Sequence, residues 1–310
     1  MYMLQYYAKK SFNEEPHQVS EAPIERAWVY GSEVTAHELD LIAEHYHLDR
    51  GILEDVMDHH ELPRAEFSNG ILYVFLRSAH LSTRGKLTTT PFLAVLKGSL
   101  FITLCSKKYL TPEEVFAGNT VDFRSSKHLF LQIVGLVINQ YEELVHESGN
   151  YVRNAEQRLQ THEVTNRDFI KFVTVEGDLN GYKTNLNAIL VLLNRLRENR
   201  HDTFVDKDCE YIEDMALEVN QLLVSCDSHM QVIGSIRNAY TTISNNILNQ
   251  RMKTLTLLTL LVALPNVFYG MFGMNVQLPF AEEPWAYAAI TGFSIVVVGM
   301  AYLVVRRMRF

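Results

Sequence analysis

The chain has 310 residues, a formal net charge of −8 at pH 7, and 47% hydrophobic residues. That length is far more than a bare membrane hairpin needs and is sufficient to bury a sizeable core. The acidic balance disfavours nucleic acid as a partner and suits the attraction of cations.

Taken in chain order, Met1–Lys10 carries Tyr and Gln where a signal peptide would have a continuous apolar run, so no leader is expected to be removed. Strand-like patterns at Met3–Ala8, Ala27–Tyr30, Ile71–Leu76, Phe92–Leu96 and Leu100–Leu104 are interleaved with helix-like ones at Ala36–Tyr46 and Ile52–His59. Residues 1–125 therefore read as an α/β domain. Beyond it, Lys127–Gln160 and Arg167–Arg200 place apolar residues three and four apart with charges between them, which predicts an antiparallel pair of long helices over 126–204. Cys105, Cys209 and Cys226 are an odd, widely spaced set with no C-x-x-C, as expected of reduced thiols serving as small buried apolar residues.

From Cys209 to Asn275 no proline occurs before Pro265, and Gly234 is the one glycine before Gly270. Read as one helix, this stretch would be about 100 Å long. It divides into a stalk over 205–253 and a first membrane span over 254–275. No charged residue lies between Thr254 and Ala281, and a second uncharged run covers Trp285–Val305, after a loop over 276–284. About 20 apolar residues cross the roughly 30 Å hydrocarbon layer, so the two runs form a membrane hairpin. Arg251 and Lys253 precede it, Arg306, Arg307 and Arg309 follow in the tail over 306–310, and the loop between carries Glu282 and Glu283. Positive charge stays inside, so both termini are expected in the cytoplasm. Trp285 and Tyr287 fall where an interfacial anchor belongs.

Within the long helix, Asn238, Thr242, Asn245, Asn249, Met252, Thr259 and Asn266 recur at spacings near 3.5 and share one stripe. A small and polar stripe entering a membrane helix suits a water-filled axis, the competing use being hydrogen-bonded contact between helices. An unaccompanied stalk would leave its apolar face unsatisfied, so oligomerisation is expected.

The first span closes on Tyr269-Gly270-Met271-Phe272-Gly273-Met274-Asn275. Here the sequence resembles the CorA family of magnesium transporters, whose hallmark is Gly-Met-Asn at this place. The likeness extends to Leu53-Glu54-Asp55-Val56, Pro63-Arg64 and Tyr211-Ile212-Glu213-Asp214. It implies an α+β cytoplasmic domain, an α/β sandwich with long helices, whose stalk helix continues into a two-helix transmembrane hairpin in a funnel-shaped homopentamer of the inner membrane. It further implies Mg²⁺ uptake through a selectivity ring of Gly273, Met274 and Asn275 and a pore lined by Asn249, Met252, Leu255, Thr259, Asn266 and Gly270. Glu282 and Glu283 would attract cations outside, and Glu54, Asp55 and Asp214 would bind regulatory Mg²⁺ inside. No cofactor is implied; the partners are identical chains, the bilayer and divalent cations. In two places the sequence departs from the family: Asn238 stands where members often carry Asp, and the outer loop reads Leu278-Pro279-Phe280-Ala281-Glu282-Glu283.

Zn²⁺, Co²⁺ or Ni²⁺ transport is the alternative within the same family. The histidines lend it little, because His59-His60 are adjacent and His45 and His47 lie two apart, so neither pair shares a helical face. No G-x-x-x-x-G-K-[ST], G-x-S-x-G or H-E-x-x-H occurs, which leaves an enzyme without a motif. A non-conducting sensor or scaffold would not need the polar stripe.

Overall fold

The computed structural model describes residues 4–8, 17–19, 27–81, 87–107, 111–117, 125–160, 166–274 and 283–307. It divides into two compact units, residues 1–234 and 235–310.

In the first unit, strands β1 (Leu4–Ala8), β2 (His17–Val19), β3 (Ala27–Gly31), β4 (Arg64–Ser68), β5 (Ile71–Leu81), β6 (Leu87–Lys97) and β7 (Leu100–Leu104) form one sheet in the order β2-β1-β3-β7-β6-β5-β4. All neighbours are antiparallel except β3 and β7. Between β3 and β4 lie α1 (Ala36–Tyr46), α2 (Arg50–Glu54) and a 3₁₀ turn over Asp55–Met57. Every residue of β3 and β7 is buried, as expected of strands covered on both faces. On one face Val29, Tyr73, Phe75, Leu93, Val95 and Ile102 join Leu39, Ile42 and Leu53 of the two short helices in a single core. On the other, Phe101 meets Phe130 with ring centroids 6.4 Å apart, and the buried Trp28 indole donates to Thr103 Oγ1 at 2.9 Å.

Local chemistry fixes the helix ends. Thr35 and Glu38 form a reciprocal capping box that starts α1, and His47 closes it with a left-handed φ of 48°. Asp49 caps α2 by accepting from the Gly51 amide at 3.0 Å. The sequence predicts a helix to His59, but α2 stops at Glu54. Past the 3₁₀ turn the backbone of Asp58 becomes extended, and its carboxylate takes the His60 amide at 2.8 Å, a local bond that competes with helix continuation.

After α3 (Pro112–Ala117), the long helices α4 (Ser126–Gln160), α5 (Asn166–Arg197) and α6 (Asp206–Phe272) follow. Helix α4 is tied to β5 by Gln140, which accepts from Ser78 Oγ at 3.0 Å, and by Tyr141, whose hydroxyl donates to the Arg77 carbonyl at 3.1 Å. Lys183 pairs with Asp227 and Arg197 with Glu213, so α5 and α6 run antiparallel. Asn199 closes the turn between them by bonding both the amide and the carbonyl of Phe204, at 2.9 and 2.7 Å. Cys105 and Cys226 are buried, and burial pushes both thiols up to about 12, so they are inert filler. Cys209, expected to be buried with them, is only half-buried near the start of α6.

The second unit contains the rest of α6 and α7 (Ala286–Arg307). Both helices are long and apolar enough to cross a membrane. They pack through Phe268 and Phe293, with centroids 5.2 Å apart, and through the Tyr269 hydroxyl, which donates to Thr291 Oγ1 at 3.3 Å. Helix α6 runs on through Pro265 to Phe272.

Candidate functional site

The face that α6 turns away from α7 is the first element of the site. Leu261, Pro265 and Tyr269 line a groove with Thr291, Ser294, Ile295 and Val298 of α7. At 3.6 residues per turn, Met252, Thr259, Asn266 and Gly270 lie about half a turn round from Leu261 and Phe268. All four are exposed, as are Asn249 and Leu255. The Thr259 hydroxyl donates to the Leu255 carbonyl at 2.9 Å, which satisfies its proton and leaves oxygen lone pairs turned outward. A lipid-facing surface would be apolar all round. This one carries an amide, a hydroxyl and a bare backbone in one row, which suits water or hydrated ions.

The helix ends in a tight turn. Gly273 donates its amide to the Tyr269 carbonyl at 3.0 Å, and Met274 donates to the Met271 carbonyl at 3.3 Å. A Cβ on Gly273 would lie 3.3 Å from the Tyr269 oxygen, so the turn closes most comfortably on glycine. Gly273 and Met274 are exposed; Asn275 and Glu282 lie outside the described residues, and Glu283 is exposed.

The residues expected to bind regulatory cations occupy separate elements. Glu54 ends α2, Asp55 begins the 3₁₀ turn, and Asp214 is exposed on α6. Among the described residues, no three His, Cys, Asp or Glu side chains come together in a group that could hold a metal ion. Asp55 is already engaged: its Oδ2 accepts from Arg64 Nη2 at 2.6 Å. The same guanidinium bonds Glu61 through Nε at 2.8 Å and Glu66 through Nη1. Burial raises the Glu61 pKa while Arg64 opposes the rise. Burial draws the Arg64 pKa down, but the bond to Asp55 and the fields of Glu61 and Glu66 leave it raised overall. This knot was missed in the sequence: Pro63-Arg64 entered only through the family likeness, and although the alternation of Arg64 and Glu66 along one strand face could have paired those two, nothing in it points to Asp55.

The family model described as CorA-like Mg²⁺ transporter protein matches residues 25–307. The chain belongs to that family. Members of the CorA-like family are transporters, which accounts for the missing catalytic motifs. This CorA-like chain is 23% identical over 259 residues to the cobalt/magnesium transport protein CorA of Methanocaldococcus jannaschii, covering 81% of the chain and 80% of that relative. Its fold matches the complete structure of the CorA magnesium transporter from the same organism with a TM-score of 0.86 at 19% identity, over 99% of this chain and 98% of that one. The cytoplasmic domain of ZntB from Vibrio parahaemolyticus matches with a TM-score of 0.65 at 8% identity, over 79% of this chain and all of that one. The CorA-like fold thus combines the mixed sheet, the long helices and the two C-terminal membrane helices.

Proposed function

We propose that the chain is one subunit of a homopentameric channel that moves hydrated Mg²⁺ into the cytoplasm down its electrochemical gradient. The observation that carries this reading is the polar row of α6, exposed on the side opposite α7. Identical helices sharing an axis would turn Asn249, Met252, Leu255, Thr259, Asn266 and Gly270 toward a common water-filled path. Both termini lie in the cytoplasm of a multi-pass inner-membrane protein.

Mg²⁺ demands near-octahedral oxygen coordination and releases water reluctantly, so a path that strips every water would impose a high barrier. Gly273, Met274 and Asn275 form a neutral ring at the outer mouth whose carbonyl and amide oxygens accept hydrogen bonds from the ion's own waters. Neutral acceptors bind weakly enough for the ion to leave. Glu282 and Glu283 concentrate cations just outside, and Met252 with Leu255 make the apolar constriction that closes by dewetting. A divalent ion gains about 4.6 kcal/mol per 100 mV on entering a negative interior, from about 2.3 per charge, so no pump is needed. On the inside, Asp55 with Glu54 beside it and Asp214 of a neighbouring copy bind Mg²⁺ when it is plentiful and hold the channel shut.

Flux of Mg²⁺, Co²⁺, Zn²⁺ and Ni²⁺ into proteoliposomes of the pure protein tests the reading, with Asn275→Ala as the decisive variant. Mg²⁺ flux should vanish while assembly persists. Unchanged flux in that variant would remove the outer ring. Zn²⁺ or Ni²⁺ outpacing Mg²⁺ would reassign the cargo, and no flux of any ion would leave a non-conducting sensor.

A further inference from the structure

Arg64 opens β4 and directs its fork at carboxylates from three separate positions: Asp55 in the 3₁₀ turn, Glu61 in the following loop and Glu66 two residues along the strand. Its Cζ lies 4.4 Å from the centroid of the Phe75 ring, which braces the cation from one side. One positive charge thus faces three negative ones, and the knot stays anionic. The Asp55 side chain is 44% exposed, so water and a hydrated ion can reach it. A guanidinium and a divalent cation draw on the same carboxylate charge, so although Arg64 occupies one acceptor position of Asp55, at Oδ2, its positive charge beside that carboxylate weakens the hold on a second cation there.

We infer that Arg64 is a tethered competitor for the regulatory divalent cation at Asp55, and that it sets the internal concentration at which the channel closes. This rests on the reading of Asp55 as a regulatory ligand. Glu61 and Glu66 are the counterweights: each draws the fork toward itself and so loosens its hold on Asp55. Arg64 is therefore a positioning residue for the sensor, and its removal should shift closure to lower internal Mg²⁺ rather than abolish it.

The test is the internal Mg²⁺ concentration that halves Mg²⁺ flux in proteoliposomes of the full-length protein. A half-exposed ion pair contributes up to about 1 kcal/mol, so Arg64→Gln should lower that midpoint by up to about fivefold. Arg64→Lys, which keeps the charge, should stay nearer the wild-type value. Glu66→Gln keeps an acceptor oxygen but removes the charge that draws the fork away from Asp55, and should raise the midpoint. Arg64→Gln also strips Glu61 of its counter-ion and could fold poorly, and losing the Glu66 charge by itself weakens cation binding. Glu66→Gln is therefore also measured in the Arg64→Lys and Arg64→Gln backgrounds: a competing arginine requires most of the Glu66→Gln shift to disappear when Arg64 is Gln and to persist when it is Lys. Asp55→Asn should lose the response. If Asp55→Asn loses it while the Arg64→Gln and Glu66→Gln midpoints stay at the wild-type value or move the other way, the inference fails and the sensor reading stands. If Asp55→Asn closes normally, both fall.

Discussion

Gly149 of α4 lies against His229 of α6, and the contact leaves no room for a side chain. A Cβ on Gly149 would stand 2.4 Å from His229 Nε2 and 2.6 Å from Cε1, where unstrained carbon contacts are about 3.5–4.0 Å. Gly149→Ala gains about 1 kcal/mol of helix propensity inside α4. Overpacking of this kind costs about 1–3 kcal/mol. The half-buried ring has to shift to admit the methyl group, and at the middle of that range the net expectation is a loss of about 1 kcal/mol. For a unit of this size that lowers the melting midpoint by about 2–4 °C. In a His229→Ala background the obstacle is gone, and the same glycine substitution should raise the midpoint by a similar amount. Thermal unfolding of the full-length chain in detergent, followed by near-ultraviolet circular dichroism across all four members of the cycle, reads the sign change. Stabilisation by Gly149→Ala with the histidine present, or destabilisation without it, would refute the packing argument.

Asp214→Ala should keep the channel conducting at high internal Mg²⁺, measured as sustained flux into Mg²⁺-loaded proteoliposomes; ordinary closure would remove Asp214 from sensing. Asn266→Leu replaces the mid-span amide of the polar row and should cut flux about tenfold or more with assembly intact, and wild-type rates would argue that the row does not face the ion path. Thr103→Val leaves the Trp28 indole N–H without its 2.9 Å acceptor and should cost about 1–3 kcal/mol in denaturant unfolding. The His229 pKa lies below its ordinary value because of burial first, then the fields of Arg153 and His146. The unfolded chain therefore binds that proton more readily, so stability falls as pH drops through the ordinary histidine range near about 6.5 toward the lower folded value. His229→Gln should flatten that slope in melting curves taken between pH 7 and pH 5, and an unaltered slope would assign it elsewhere.

Long helices were legible because their periodicity is repeated many times: α4 and α5 fall within a few residues of where the apolar spacing put them. Strands β3 and β7 were equally plain, being short apolar runs. Strand β4 was not, since Arg64, Glu66 and Ser68 alternate with Ala65 and Phe67 at a sheet edge and carry little apolar signal. Yet the Asn69-Gly70 pair that follows, with φ of 52° and 78°, is the two-residue turn that joins β4 to β5 and was there to be recognised. At the site, the spacing of Met252, Thr259 and Asn266 announced a shared face, whereas Gly270 came only from the family resemblance. The capture of Asp55 by Arg64 was hidden, because it joins residues nine apart across a turn whose 3₁₀ geometry no propensity signals.

Because α6 leaves its polar row uncovered by its own chain, one copy holds only a sector of whatever path it helps to form. On the proposed assembly, a cell making intact and defective copies together would mix them at random within each ring. With five positions to fill from equal supplies, only about one ring in thirty would contain no defective member. A filter or row substitution should therefore act dominantly over a normal gene, whereas loss of expression should be recessive.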